Sequence, residues 1–235
     1  MTILPRNIRY ASMATPLQHD HVFVLVEPQA QVADRLLDVG LREGPSNAHP
    51  GQGTANRRFF FDNGMLEFLY VHNVEEARKG PARDLHFPER SDKGNPANPS
   101  PFGVIFLPSE SAEINSDRMP FSGWHYQPDY FPPPTGFHVG TNSQNLAEPL
   151  CIFFPTSFPK DPSKPQPPRN PQTITDIVIS TPAADTEGVL ATAFQADRLL
   201  IQTSHSEHLM EITLDNHARK RTEDFRPSIP LILNW

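Results

Sequence analysis

The sequence predicts a mixed α+β fold made of two similar blocks, and three observations support this prediction. Each block shows a β-branched or aromatic strand, then a helix that begins at a proline, then further strands. The blocks share this order of elements over about 40 residues each, which indicates an internal repeat. A proline-rich stretch separates them, because 19 of the 27 prolines lie between Pro81 and Pro171.

The first block begins with a strand and continues through a helix into a hairpin. Pro28 suits the first position of a helix, apolar residues follow it at helical spacing, and Gly40 is a natural end. Asn63-Gly64 is a strong signal for a hairpin between two apolar runs. The predicted strands are residues 21–26 (HVFVLV), 57–61 (RRFFF) and 65–71 (MLEFLYV).

The second block repeats this order after the proline-rich stretch. Thr181 is a predicted helix N-cap and Pro182 follows it. One helical face is marked by Val189, Leu190, Ala193 and Phe194. The predicted strands are residues 174–180, 199–202 and 209–214.

The proline-rich middle is predicted to be a long loop-rich insertion. Proline fixes φ and lacks an N–H donor, so this stretch cannot consist of regular helices or central strands. Residues 158–171 are its clearest linker, polar and extended. Short strands are predicted at residues 102–107, 136–139 and 150–154.

Composition excludes several classes of function. The net charge of −7 and the pI near 5.8 argue against nucleic acid as a partner, because phosphate binding needs clustered Lys and Arg. No apolar run approaches the roughly 20 residues of a membrane span. The single cysteine, Cys151, excludes an internal disulfide and suits a reducing compartment. We therefore expect a cytoplasmic protein that binds neither nucleic acid nor membrane.

Glu67 is the residue that most suggests chemistry. Both faces of the strand MLEFLYV are apolar apart from Glu67, so the carboxylate is predicted to be buried. A buried carboxylate needs a metal, a cation or a hydrogen-bonded acid role. Glu211 has the same setting in LMEITL, and both are candidate catalytic residues. Pairing with an arginine, or a place at an exposed edge, is the alternative for each.

His21 and Asp176 are candidate metal ligands at corresponding places in the two blocks. His21 opens the first strand, and Asp176 lies early in the matching strand of the second block. A histidine on a strand is more often structural than a ligand. With Glu67 on the same sheet, however, His21 could contribute to a divalent-ion site.

The loop HPGQGTAN, residues 49–56, is a candidate substrate-binding turn. It lacks the Gly-Lys-Ser/Thr ending of a phosphate-binding loop and precedes a strand. A tight turn that lets the backbone approach a ligand fits better, with His49, Thr54 and Asn56 as polar contacts. A plain surface turn is the alternative. Arg57 and Arg58 alternate faces, so one of them at most would enter a pocket, and Arg57 is taken as the candidate.

The segment 120–134 combines aromatic residues and prolines. It contributes Trp124 and Tyr126 as candidate substrate contacts, because such a segment could cover the mouth of an apolar pocket. The alternative is a loop that its rings attach to the body of the protein.

The pairing of HVFVLV with MLEFLYV, and of TDIVIST with HLMEITLD, resembles the metal-bearing strands of glyoxalase I and its relatives. The loop HPGQGTANRRFFF followed by MLEFLYV is similar to the glyoxalase-like domain branch of this vicinal-oxygen-chelate superfamily, over roughly residues 20–155. The resemblance implies two βαβββ modules that form a half-barrel cleft. It also implies a divalent ion (Zn, Ni, Fe or Mn) held by His21, Glu67, Asp176 and Glu211. Asp176 departs from the family pattern, in which glyoxalase I has His or Gln.

The expected organisation is an N-terminal arm (1–18), a first module with its loop-rich extension (19–157), a linker (158–172) and a shorter second module (173–235). The expected function is a metal-dependent isomerase, lyase or dioxygenase acting on a small molecule. A metal-free protein of the same fold that binds or sequesters a small molecule is the first alternative, and a degenerate structural partner is the second. Both a monomer and a homodimer are open.

Overall fold

The computed structural model describes residues 17–109, 119–155, 167–182, 188–193 and 196–235. Within these ranges the chain is mainly strands with few and short helices, which confirms the α+β class. The elements are β1 (Leu17–Leu25), α1 (Asp34–Asp38), β2 (Ala48–His49), β3 (Thr54–Phe61), β4 (Gly64–Val71), α2 (Val74–Ala77), α3 (Phe87–Ser91), β5 (Phe102–Pro108), β6 (Gly123–Tyr126), β7 (Phe137–Gly140), β8 (Leu150–Phe153), β9 (Ile174–Thr181), α4 (Val189–Ala193), β10 (Leu199–Thr203), β11 (Leu209–Leu214), β12 (Thr222–Asp224) and β13 (Leu231–Asn234). Four 3₁₀ helices cover Pro28–Ala33, Gly80–Leu85, Thr141–Gln144 and Asp215–His217.

The main body is a curled eight-stranded sheet in the order β2-β3-β4-β1-β5-β8-β7-β6. Its two halves have the same connectivity. In the first half β1 pairs with β4 in parallel and β3 pairs with β4 antiparallel. In the second half β5 pairs with β8 in parallel and β7 pairs with β8 antiparallel. The halves meet where β1 and β5 run antiparallel, so the structural repeat lies within residues 17–153.

The second repeat is therefore not where the sequence pattern placed it. Residues 173–235 instead form a separate five-stranded sheet in the order β10-β9-β11-β13-β12. Strands β6, β7 and β8 have only four residues each and lie among prolines, so the pattern made them an extension of the first module. The predicted arm also ends earlier, because Leu17 and Gln18 belong to β1. Most of the predicted linker, and Phe194, lie outside the described residues.

The five-stranded sheet packs against one face of the eight-stranded sheet, which we call the packing face. Val22, Val24, Leu66 and Phe68 lie on it, and they share one buried core with residues such as Ile177, Ile179 and Ile212 from the other sheet. Removing each large apolar side chain from water contributes about 1.5–3 kcal/mol to stability. This core covers the packing face of the eight-stranded sheet. The opposite face, which we call the cavity face, is left to line a pocket.

A turn between β3 and β4 links the two sheets. The side-chain amide of Asn63 donates to the carbonyl oxygen of Ile174 at 2.9 Å, and the amide nitrogen of Ile174 donates to Asn63 Oδ1 at 2.8 Å. Because Phe61 pairs with Gly64, the hairpin predicted from Asn63-Gly64 forms with Asp62 and Asn63 as its two turn residues. Among the described residues, no helix combines the length and apolar character that crossing a bilayer requires.

Candidate functional site

A cavity of about 370 Å³ opens on the cavity face of the eight-stranded sheet. Both halves of the sheet line it. Polar side chains from the first half occupy one end, among them His21, Asn56 and Glu67, whereas the second half contributes mainly Ile105, Phe137 and Ile152. A volume at the lower end of the range for ligand pockets suits a small organic molecule.

A β-bulge in β1 sets which histidine reaches this cavity. His19 lies opposite Phe106 and His21 lies opposite Ile105, so Asp20 is an extra residue without a partner on β5. In a regular strand His19 and His21 would share a face, but the bulge puts them on different faces. His21 lines the cavity. His19 is buried in the packing face without a hydrogen-bond partner, and burial lowers its pKa to about 3.

His21 stands between two carboxylates. Its Nδ1 lies 2.5 Å from Asp20 Oδ2, and its Nε2 lies 3.5 Å from Glu67 Oε2. Burial disfavours the charged imidazole, but the hydrogen bonds and charges of Asp20 and Glu67 outweigh it and raise the pKa of His21 to about 9. At neutral pH the ring is therefore a cation that can donate from both nitrogens.

Glu67 is buried, with 6% of its surface exposed, and is held by groups from two neighbouring strands. Asn56 Nδ2 donates to Glu67 Oε1 at 2.5 Å, while Oε2 faces His21. Burial alone would raise the pKa of Glu67, but His21, His49 and Asn56 favour the ionised form and lower it. The carboxylate that the sequence predicted to be buried is thus kept charged by its neighbours.

The loop before β3 extends this polar chain along the cavity wall. His49 Nδ1 lies 2.9 Å from Thr54 Oγ1, and Gln52 Nε2 donates to the same hydroxyl at 2.7 Å. Burial lowers the pKa of His49, which leaves its ring neutral. His49 and Asn56 line the cavity, whereas Thr54 is fully buried behind them and orients His49 and Gln52.

The aromatic segment lies over the other side of the cavity. The hydroxyls of Tyr126 and Tyr130 donate to Gln52 Oε1 at 3.1 and 3.2 Å, which connects this segment to the loop of the first half. Tyr126, Tyr130 and Phe131 line the cavity. Trp124 does not line it, because its indole N–H donates to Ser143 Oγ at 3.2 Å and its ring packs on Tyr126.

Arg58, and not Arg57, is the arginine at the cavity. Arg57 binds Glu43 through Nε at 2.8 Å and Asp34 through Nη1 at 2.7 Å, so its guanidinium is used in an ion-pair cluster away from the pocket. Arg58 lines the cavity and donates from Nε to the carbonyl oxygen of Pro45 at 2.7 Å. The prediction that Arg57 and Arg58 lie on opposite faces of their strand is correct, but the sequence could not show which of these faces lines the cavity.

Asp176 and Glu211 are not brought to this cavity. Both lie on the five-stranded sheet, on the face opposite Ile177, Met210 and Ile212, which pack in the core. Asp176 is exposed and Glu211 is partly exposed. The predicted set of four ligands is therefore divided between two sheets.

Among its described residues, the second half of the eight-stranded sheet offers no replacement for these two ligands. Superposing the halves on the central Val22–Val104 pair matches His21 with Gly103, and Glu67 with Ile152. A side chain at Gly103 would have to displace the ring of Phe23, which occupies the space where its Cβ would lie. Within the described ranges no three His, Cys, Asp or Glu residues cluster as a metal site would need. The donor set does not fit the four-ligand site that the family resemblance implies.

The sequence reasoning missed the apolar residues that line the cavity and, besides Arg58, three polar residues of the site. Asp20 escaped notice because a bulge cannot be read from residue types, although it directly precedes His21. Gln52 lies inside the loop that was singled out, but a buried amide carries no distinctive signal. Tyr130 belongs to the aromatic segment, and its position there was the one available indication.

The chain is similar to a family model and to solved structures of other proteins. A family model described as "Glyoxalase-like domain" matches residues 19–110. The crystal structure of a hypothetical protein from Staphylococcus aureus superposes with a TM-score of 0.52 at 11% sequence identity, covering 93% of this chain and 98% of that chain. The crystal structure of a hypothetical protein from Bacillus halodurans C-125 gives a TM-score of 0.38 at 12% identity, covering 59% and 93%. A search of curated proteins found no match.

The likeness to the Staphylococcus aureus structure concerns the fold alone. The family match covers β1 to β5, the part of the chain that carries the polar end of the cavity. Residues 19–110 are thus similar to a glyoxalase-like domain, and the curled sheet that contains them is consistent with the vicinal-oxygen-chelate fold.

Proposed function

We propose that this protein is an enzyme that transfers a proton at a carbon atom next to a carbonyl group of a small molecule, as isomerases and lyases do. One observation carries the proposal. The chain Asp20–His21–Glu67–Asn56 places a cationic donor beside a carboxylate at one end of an otherwise apolar cavity. Pairs of acid and base groups held in this way are typical of catalytic sites.

Each residue has a distinct role in this proposal. The charged ring of His21 donates from Nε2 to the carbonyl oxygen of the substrate and stabilises the negative charge that develops on it. Glu67 accepts the proton from the adjacent carbon atom. Asp20 holds the imidazole through Nδ1, and Asn56 orients the carboxylate of Glu67. Such acid–base assistance contributes about 10²–10⁴-fold in rate.

The other form of this proposal uses a divalent ion, for which the family resemblance implied His21, Glu67, Asp176 and Glu211 as ligands. Only His21 and Glu67 of these four reach the cavity, so the proton transfer described above relies on protein groups alone. Elemental analysis of the purified protein, with titration of Zn²⁺, Ni²⁺, Fe²⁺ and Mn²⁺, separates the two forms. A stoichiometric ion, or tight binding lost in His21→Gln, would favour the metal form.

Exchange with solvent deuterium tests the proposal. The protein is incubated in D₂O with hydroxyacetone or 2-hydroxyacetophenone, which present a carbonyl oxygen and an acidic C–H, and loss of the α-proton signal is followed by NMR. We expect exchange to fall about 100-fold or more in Glu67→Gln and in His21→Gln. Glu211→Gln, on the outer face of the other sheet, is the matched control and keeps full activity. Equal exchange in the wild type and Glu67→Gln would contradict the proposal.

A second candidate is a binding protein without chemistry, and the geometry of Glu67 favours it. Asn56 and His21 engage both carboxylate oxygens, and the lowered pKa makes Glu67 a weak base. In this case the cavity holds its ligand and leaves it unchanged. Recovery of the unaltered ligand after long incubation, together with exchange that is insensitive to Glu67→Gln, would support this candidate.

A further inference from the structure

The two ends of the cavity differ in chemistry, and this difference limits the shape of the ligand. The polar end is built from the first half of the sheet. The other end is formed by Ile105, Phe137 and Ile152 together with Leu85 and Phe87 from the segment between the halves. A ligand that fills the cavity must place its oxygen atoms at one end only, because polar atoms at the other end would be left without partners.

The ring of Phe23, which lies between the two ends of the cavity, is fixed in position. Phe23 lines the cavity and contacts Phe87 edge to face, with ring centroids 6.0 Å apart. The absence of a side chain at Gly103 lets the Phe23 ring lie across β5. Phe23 is only 2% exposed, so its ring is held in place by packing.

Aromatic rings enclose the apolar end from above. Phe131 lies 5.4 Å from Phe137 and 4.8 Å from Tyr130, measured between ring centroids, and all three line the cavity. Rings in this arrangement offer both faces and edges to a flat ligand, which aromatic pairs prefer over a perfect face-to-face stack.

The volume of the cavity admits an apolar group the size of a phenyl ring. An apolar cavity of about 150 Å³ is sufficient for benzene. The cavity here measures about 370 Å³, which leaves room for one such ring and a short oxygen-bearing chain. A bare two- or three-carbon carbonyl compound would leave the apolar end unfilled.

We propose that the substrates are aryl carbonyl compounds, in which a phenyl-sized ring lies between Phe23, Ile105, Ile152 and Phe137 and a carbonyl oxygen faces His21. This inference rests on the proposed function for the role of His21, and it adds the class of substrate. The ring selects the ligand, and the oxygen fixes its direction in the cavity.

Binding of three simple probes tests this inference. Acetophenone carries ring and oxygen, acetone only the oxygen, and ethylbenzene only the ring. Dissociation constants are measured by ligand-observed NMR on the full-length protein. We expect acetophenone to bind at least 10-fold more tightly than either of the others. Acetone binding as tightly as acetophenone would overturn the ring site, and ethylbenzene binding as tightly would overturn the oxygen contact.

Variants separate this inference from the proposed function. Ile105→Phe fills the ring site with apolar volume. We therefore expect it to weaken the binding of acetophenone at least 10-fold and to leave the binding of acetone unchanged. Leu200→Phe, at an exposed position of the five-stranded sheet, is the matched control. Ile152→Ala, which enlarges the site, is a second variant if Ile105→Phe does not fold, and is expected to weaken acetophenone about 5-fold.

The two proposals can fail independently. If binding depends on the ring but deuterium exchange is equal in the wild type and in Glu67→Gln, the proton transfer is refuted and the ring site stands. Glu67-dependent exchange that is equal for hydroxyacetone and 2-hydroxyacetophenone, with acetophenone affinity unchanged in Ile105→Phe, would refute the ring site and keep the proton transfer.

Discussion

The two halves of the eight-stranded sheet share their connectivity but not their chemistry. Where the first half has His21 and Glu67, the second has Gly103 and Ile152 at the matching positions. One half thus supplies charge and hydrogen bonds, and the other supplies apolar surface. Two halves with the same connectivity can thus carry different side chains, and the cavity between them then has a polar end and an apolar end.

The largest expected effect comes from placing a carboxylate in the apolar half. Ile152→Glu introduces at the position equivalent to Glu67 a buried charge without the partners that Asn56 and His21 provide. We expect it to lower the free energy of unfolding by about 4 kcal/mol at pH 7, measured by urea denaturation.

Leu200→Glu is the matched control for this change, because Leu200 lies exposed on the outer face of the five-stranded sheet. Its effect should stay below about 1 kcal/mol. If both variants lose the same stability, the second half tolerates charge as well as an outer surface does, and the contrast between the halves is wrong.

The second-largest effect is a dependence of the unfolding free energy on pH, which we assign to His21 in the first half of the sheet. Folding raises the pKa of His21 from 6.5 to about 9, so the folded state favours the charged ring. Its contribution is complete below about pH 6.5 and is lost as the pH rises through about 9, amounting to about 3 kcal/mol.

Urea denaturation of the wild type and His21→Gln at several pH values between 6 and 9.5 measures this contribution. The difference in unfolding free energy between the two proteins should shrink across that window. A difference that stays constant, or grows with pH, would mean that His21 is not held as a cation between Asp20 and Glu67.

The smallest of these effects concerns the glycine that replaces His21 in the second half. Gly103→Ala places a Cβ against the ring of Phe23, so we expect a loss of about 2 kcal/mol by thermal or urea denaturation. Phe23→Leu in the same chain should recover part of it. In Gly94→Ala the nearest atom to the new Cβ is 3.3 Å away on the exposed Asp92, and stability should be nearly unchanged. Equal stability of Gly103→Ala and the wild type would show that Phe23 can move.

The first half of the sheet could largely be predicted from the sequence. Strong β-propensity in HVFVLV and MLEFLYV, and a turn signal between RRFFF and MLEFLYV, gave β1, β3 and β4 near their observed bounds. Glu67 was recognisable because both faces of its strand are apolar. In the second half, β5, β7 and β8 were also predicted near their observed bounds. No residue there indicated a site, however, since a glycine and an isoleucine at the equivalent positions look like ordinary sheet residues.

Glu211 shows why the rest could not be predicted. Its strand alternates in the same way as that of Glu67, but alternation does not tell which face another sheet will cover. Met210 and Ile212 face the core, so Glu211 lies on the outer side. The elements in residues 174–214 follow the same order as those of the first block. Only the strand pairing showed that the structural repeat uses the short strands β6, β7 and β8.

The extra residue of the bulge, Asp20, is also the counter-ion of His21, so the electrostatic character of the pocket depends on one residue that does not line it. Removing Asp20 would restore a regular strand in which His19 still lies opposite Phe106 and His21 still lies opposite Ile105, but it would take away the carboxylate at His21 Nδ1. A deletion one codon long would thus lower the pKa of His21 and weaken the cation at the polar end without altering any side chain that lines the cavity.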